Sequence, residues 1–132
     1  MKPSMRAAAT AVAVTSLGLV ALGGAPASAS AKKGCPYPAV CFYLTTSDYN
    51  NSHPTAQFKD VTTGFQTLGP QSRGAKGVVN TRNDDVVSIK FLDHGQGEFT
   101  TCLPPNKVWP VQSGITVTRV RIENRATCPE GP

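Results

Sequence analysis

Past its first thirty residues, this 132-residue chain has no long segment with apolar residues at i, i+3, i+4 and i+7. Twelve glycines and eleven prolines punctuate the whole chain, nine of each past residue 30, which excludes a helical bundle. No Cys-x-x-Cys pair occurs, and the two histidines, His53 and His94, stand far apart, which argues against a zinc site. No basic run exceeds Lys32-Lys33 and no aromatics interleave with one, so nucleic acid is not an expected partner. There are no paired carboxylates in an apolar context and no glycine loop following a strand. Ser88, Asp93 and His94 are the residue types of a catalytic triad, but Ser88 lies inside an alternating strand and adjacent Asp93-His94 cannot readily orient one another. The stretch "LDHGQG" reads as a surface turn, and neither catalysis nor a cofactor is expected.

What is present begins with an export signal. Met1 to Arg6 is short and basic, an Ala- and Val-rich run extends to about Gly24, and the small residues "GGAPASASA" close it. Cleavage is expected after Ala29 or Ala31, so residues 1–31 are a secretory leader and 32–132 the mature domain. Thr10, Thr15 and Ser16 dilute the apolar run, which weighs against a retained membrane anchor, and no cysteine stands at the cleavage point to carry a lipid. A secreted, extracellular protein with no membrane association is expected. Eleven Lys and Arg against eight acids leave the mature chain at a mild +3. Export also changes how Cys35, Cys41, Cys102 and Cys128 read, because an even set in a small oxidised chain favours two disulfides. Of the three possible pairings, Cys35/Cys41 with Cys102/Cys128 is the simplest.

The mature length, about 100 residues, suits one domain. Short strand-like runs recur along it: "VCFYL" (40–44), "AQF" (56–58), "FQTL" (65–68), "VVSIKFL" (86–92), "EFTTCL" (98–103), "KVWPV" (107–111) and "ITVTRVRI" (115–122). Turn residues separate nearly all of them, which predicts an all-β sandwich or barrel. "SDYNNSHPT" (47–55) and "GPQSRGAKG" (69–77) read as loops, the second the more flexible. Side chains alternate along a strand, so Val87, Ile89 and Phe91 face inward, and Ser88 and Lys90 outward. Thirty-one residues on, Thr118, Val120 and Ile122 repeat the inward positions, and Arg119 and Arg121 the outward ones. That echo suggests a duplicated motif whose halves pack their inner faces together.

The order "CPYPAVCFYL", "FQTL", "RNDDVVSIKF", "TTC", "VTRVRI" and a terminal "TC" resembles a secreted streptomycete peptidase-inhibitor family across Cys35 to Cys128. The resemblance implies a single disulfide-stapled domain with a βγ-crystallin-like Greek-key β-sandwich fold. On the family pattern, Asn83-Asp84 fill the paired acid/amide positions, Asp85-Val86 the two variable ones, and Val87 the first hydroxyl position. In calcium-binding relatives of that fold this hydroxyl helps hold the ion. Val87 offers no side-chain oxygen, and Gly114 and Ile115 stand where the second half would need acids. Asn83, Asp84 and Asp85 are therefore a weak calcium candidate, better read as a turn held by local Asn and Asp hydrogen bonds, and no metal is expected.

The resemblance also implies a function. A metalloproteinase-inhibiting member of the family presents a Thr-Cys-hydrophobic segment on a rigid loop, and Thr101-Cys102-Leu103 matches that triplet. The expectation is an exposed inhibitory loop whose Leu103 enters the apolar pocket of a secreted, thermolysin-like metalloproteinase. Pro104 and Pro105 would hold it extended. One departure stands out: Lys107 occupies the place of the cysteine that closes the loop in that inhibitor. The alternative is a cell-wall-binding, chitin-binding or antimicrobial module of the same fold, as in small streptomycete antifungal proteins. A binder should carry an exposed row of aromatics, whereas an inhibitor should expose Cys102-Leu103. Trp109, the single tryptophan, reads as a core plug before a contact residue. Either way, the protein is expected to act as a monomer.

Overall fold

Period-two alternation governs the architecture. The computed structural model describes residues 32–131; the expected leader and its cleavage points lie outside them. The described chain is all-β apart from one short helix: β1 (Val40–Tyr43), α1 (Thr46–Asn50), β2 (Ala56–Phe58), β3 (Gln66–Thr67), β4 (Gly77–Asn80), β5 (Val86–Asp93), β6 (Gly97–Leu103), β7 (Val108–Pro110) and β8 (Ile115–Glu123). The strands form two four-stranded antiparallel sheets, ordered β2-β1-β4-β7 and β3-β8-β5-β6. Between them lie Val40 and Phe42 of β1, Val78 of β4, Val87 and Ile89 of β5, and Val117, Val120 and Ile122 of β8.

The echo between residues 87–91 and 118–122 has a different origin from the one expected. β5 and β8 are neighbours in one sheet, with Val87 opposite Ile122 and Ile89 opposite Val120. They match because adjacent strands share one buried face. The repeat in the structure is instead β1–β4 against β5–β8, for each half pairs its first strand with its second and fourth and gives its third to the other sheet. "NDDVVSIKF" thus opens the second half rather than closing the first.

A smaller cluster of Cys35, Ala39, Cys41, Tyr43 and Val79, with Tyr49 against it, covers the outer face of the first sheet. Both disulfides follow the simplest pairing, Cys35–Cys41 and Cys102–Cys128. Among the described residues, no helix is long and apolar enough to cross a membrane.

Two elements stand where loops were expected. Helix α1 lies within 47–55 and its flank, started by a capping box. The Thr45 hydroxyl accepts from Asp48 N–H at 3.0 Å, and the Asp48 carboxylate accepts from Thr45 N–H at 3.0 Å. Strand β4 begins at the end of 69–77. Its Gly77 lies under the Tyr49 ring, where a Cβ would come within 2.2 Å of a ring carbon, so only glycine lets the helix dock this closely. The rest of 69–77 is tied down: Gly74 N–H donates to Val117 O at 3.0 Å, Lys76 N–H to Tyr43 O at 2.7 Å, and Ser72 and Ala75 are buried.

Candidate functional site

The expected inhibitory segment is not a loop. Thr101, Cys102 and Leu103 end strand β6, opposite Ile89, Ser88 and Val87 of β5. Alternation sends Cys102 outward, where it bonds Cys128, and turns Leu103 inward, where it is 6% exposed within the main core. A side chain that closes the sandwich cannot also enter the pocket of another protein. The exposed turn starts only after it.

That turn, residues 104–107, is pinned from several sides. The buried Asn80 amide donates to Pro104 O at 3.1 Å and Asp85 O at 2.9 Å, with Leu103 O at 3.4 Å. Its backbone N–H donates to Lys107 O at 2.9 Å. Asn106 adopts φ +59°, a left-handed conformation that Asn tolerates. Its N–H donates to Arg82 O at 3.0 Å, and its carbonyl accepts from Lys32 Nζ at 2.6 Å. Asn80 is the hub of this arrangement, and residue type alone gave no sign of it; the only cue was a lone amide after two valines.

Asn83 and Asp85 are drawn to different partners, and Asp84 is exposed. The Asp85 carboxylate, 5% exposed, takes Arg82 Nε at 2.6 Å and Nη2 at 2.5 Å. The Asn83 side-chain oxygen accepts from Asn106 Nδ2 at 3.1 Å. These bonds commit the side chains to holding the turn. Among the described residues no group of three or more His, Cys, Asp or Glu comes together.

The triad residue types are likewise engaged apart. The Ser88 hydroxyl donates to Glu123, His94 Nε2 lies 2.7 Å from the Thr116 hydroxyl, and Asp93 accepts from Gly95 N–H at 2.9 Å.

The most distinctive exposed chemistry lies around Phe91 of β5, whose ring links β6 and β7, the edge strands of the two sheets. Phe91 stacks on Phe99 of β6 with ring centroids 5.8 Å apart and planes 27° from parallel. It also meets Trp109 of β7 at 5.7 Å. Phe91 and Trp109 are half-buried against the core, while Phe99 is 42% exposed. Trp109 is thus a core plug on one side and part of an open seam on the other. Of the remaining exposed large apolar residues, Tyr37 and Val61 belong to other segments, and Leu92 and Val108 adjoin Phe91 and Trp109 on β5 and β7 but alternate to the opposite face, so none extends this cluster into a long row. The seam offers a stacked aromatic surface, which suits recognition of an apolar face. No protein-family model, curated protein or solved structure matches the chain.

Proposed function

We propose that this protein is a secreted, non-catalytic recognition module of βγ-crystallin-like fold that binds cell-wall polysaccharide through the aromatic seam between β6 and β7. The fold assignment is supported by the equivalent strand orders of the two halves and by the exchange of the third strand between sheets. The reading as an exported protein is supported by the two disulfides and the leader-like start of the chain. The observation that carries the binding site is Phe99, held open to solvent while stacked on a second ring. An isolated exposed phenyl is common, but a stacked one is already oriented, so little entropy is lost when the C–H face of a sugar ring lies against it. The test is retention of the purified protein on insoluble chitin and on cell-wall polysaccharide. Wild type should be retained, and Phe99→Ala should weaken retention about tenfold, the size of a modest contact hot spot. Wild-type protein that passes both supports unretained would sink the reading.

A second reading, inhibition of a secreted metalloproteinase, draws support from the pinned turn at 104–107. It must use the exposed Lys107 and its neighbours, with Leu103 as a support behind them. Micromolar protein that leaves a panel of thermolysin-like proteases fully active would remove it.

A further inference from the structure

A shallow groove of about 400 Å³ opens on the outer side of the second sheet, walled by Val61, Thr62, Thr63, Arg121, Glu123 and Arg125. It lies apart from the aromatic seam, and nothing in it depends on that reading. Local structure sets its walls. Val61 bridges to Ile122 in parallel, and Thr62 N–H donates to Ile122 O at 3.1 Å, so residues 61–63 run alongside β8. Val120 and Ile122 face the core, which turns Arg121 and Glu123 outward. Beyond β8, the Arg125 carbonyl accepts from Val86 N–H at 2.8 Å and brings its side chain back beside Glu123.

The charges in the groove do not cancel. The Glu123 carboxylate accepts from the Ser88 hydroxyl and from Arg121 Nη2 at 2.9 Å, and its other oxygen lies 2.9 Å from Arg125 Nε. Burial alone would raise its pKa. The bonds from Ser88 and Arg121, with the charges of Arg121 and Arg125, hold it below the ordinary carboxylate value instead. One anion therefore stands between two guanidiniums and leaves one positive charge over. Arg121 is also fixed from behind, with its guanidinium 4.6 Å from the Phe65 ring centroid.

Donor capacity is left over as well. The Nε–H of Arg121 is buried and makes no hydrogen bond, whereas Arg125 Nε is paired with the Glu123 carboxylate at 2.9 Å. Leaving a donor of a charged group without an acceptor is unfavourable, so this donor, with the uncancelled positive charge of two guanidiniums around one carboxylate, points to an acceptor arriving from outside.

We propose that this groove binds an oxyanion, a phosphate or carboxylate group of a ligand. Arg121 and Arg125 supply forked donors, and exposed Val61 at the rim contacts the apolar part beside the anion. Glu123 and Phe65 are positioning residues that hold the forks in place. Arginine suits this task because its planar fork can meet two oxygens at once, which a point charge cannot.

The test is an amide NMR titration of the disulfide-bonded protein with inorganic phosphate and, separately, with acetate, at ionic strength held constant with sodium chloride. Saturable shifts are expected at Thr62, Thr63 and the 121–125 segment. Arg121→Gln and Arg125→Gln should each weaken binding about tenfold or more, as loss of a charge-assisted bond predicts. Arg121→Lys keeps the charge, removes the fork, and should also weaken binding; it and Arg125→Gln carry the test if Arg121→Gln fails to fold. Arg119→Gln, on the same face but outside the groove, should change little. Saturation by phosphate alone identifies a phosphate group as the ligand, by acetate alone a carboxylate, and by both the shared chemistry. Linear shifts with either anion, arginine variants that bind like wild type, or an Arg119→Gln loss equal to that of Arg121→Gln would each overturn the proposal.

Discussion

Tyr43 is fully buried in the smaller cluster and donates its hydroxyl to Lys33 O at 2.5 Å. Burial first, and then the neighbouring Tyr49, push its pKa from 10.0 up to about 12. The fold therefore favours the neutral phenol, and the stability this gives is complete below pH 10 and lost as pH rises through 12. Denaturant midpoints should hold steady up to pH 10 and fall between there and 12. Tyr43→Phe should make that fall shallower and cost about 1 kcal/mol at neutral pH, through the lost hydrogen bond. Leu103 obeys the same rule of burial in apolar form. Leu103→Asp should lower stability by more than about 3 kcal/mol, seen as a collapsed melting temperature, because the charge would sit unpaired in the core. A folded, heat-stable Leu103→Asp would show that the end of β6 does not close the core. Leu103 was legible by register, since Phe99, Thr101 and Leu103 alternate. The prolines that follow, and the family's Thr-Cys-hydrophobic triplet, pulled the reading toward a loop. The cysteine partners were more open to inference, for a close pair and a remaining pair need little geometry. Asn80 was not, because its importance lies in carbonyls contributed by segments distant in sequence.

Strands with one wet face announce themselves by alternation, which is why β5, β6 and β8 fall within a residue or two of their expected bounds. Strand β4 gave no such signal. All four of its residues are buried, with the main core on one side and the Tyr43–Tyr49 cluster on the other, so no polar–apolar alternation survives in "GVVN". Helix α1 buries none of its five residues, so it had no apolar stripe, and Thr45 with Asp48 was its only sequence mark. The disulfides act on these elements unequally. Cys35–Cys41 spans a separation of six residues and Cys102–Cys128 one of twenty-six, the latter fastening the tail after β8 to the outer face of β6. Chain entropy assigns the short bridge about 2 kcal/mol and the long one about 3.5 kcal/mol. Cys102→Ser with Cys128→Ser should thus lower the denaturation free energy by about 1 kcal/mol more than Cys35→Ser with Cys41→Ser. Equal losses would mean that native packing, rather than restriction of the unfolded chain, dominates.

The molecule as a whole is two halves that each close the other's sheet, and their meeting lines are where function has room to sit. An all-β sandwich was legible from turn spacing and strand count, but the pairing of the halves was not, because any two amphipathic strands can be slid into register. The proposed recognition surface was less legible still. Phe91, Phe99 and Trp109 lie on three strands of two sheets, and only the fold brings their rings within 6 Å of one another in the two contacts through Phe91. Because Trp109 is the only tryptophan, its fluorescence reports on that seam alone. Titration with soluble chitin and cell-wall oligosaccharides should therefore give a saturable change in intensity or emission wavelength for wild type. Phe99→Ala should shift the midpoint upward about tenfold. Emission that stays flat through saturating oligosaccharide, or a Phe99→Ala curve that overlays wild type, would contradict recognition at the seam.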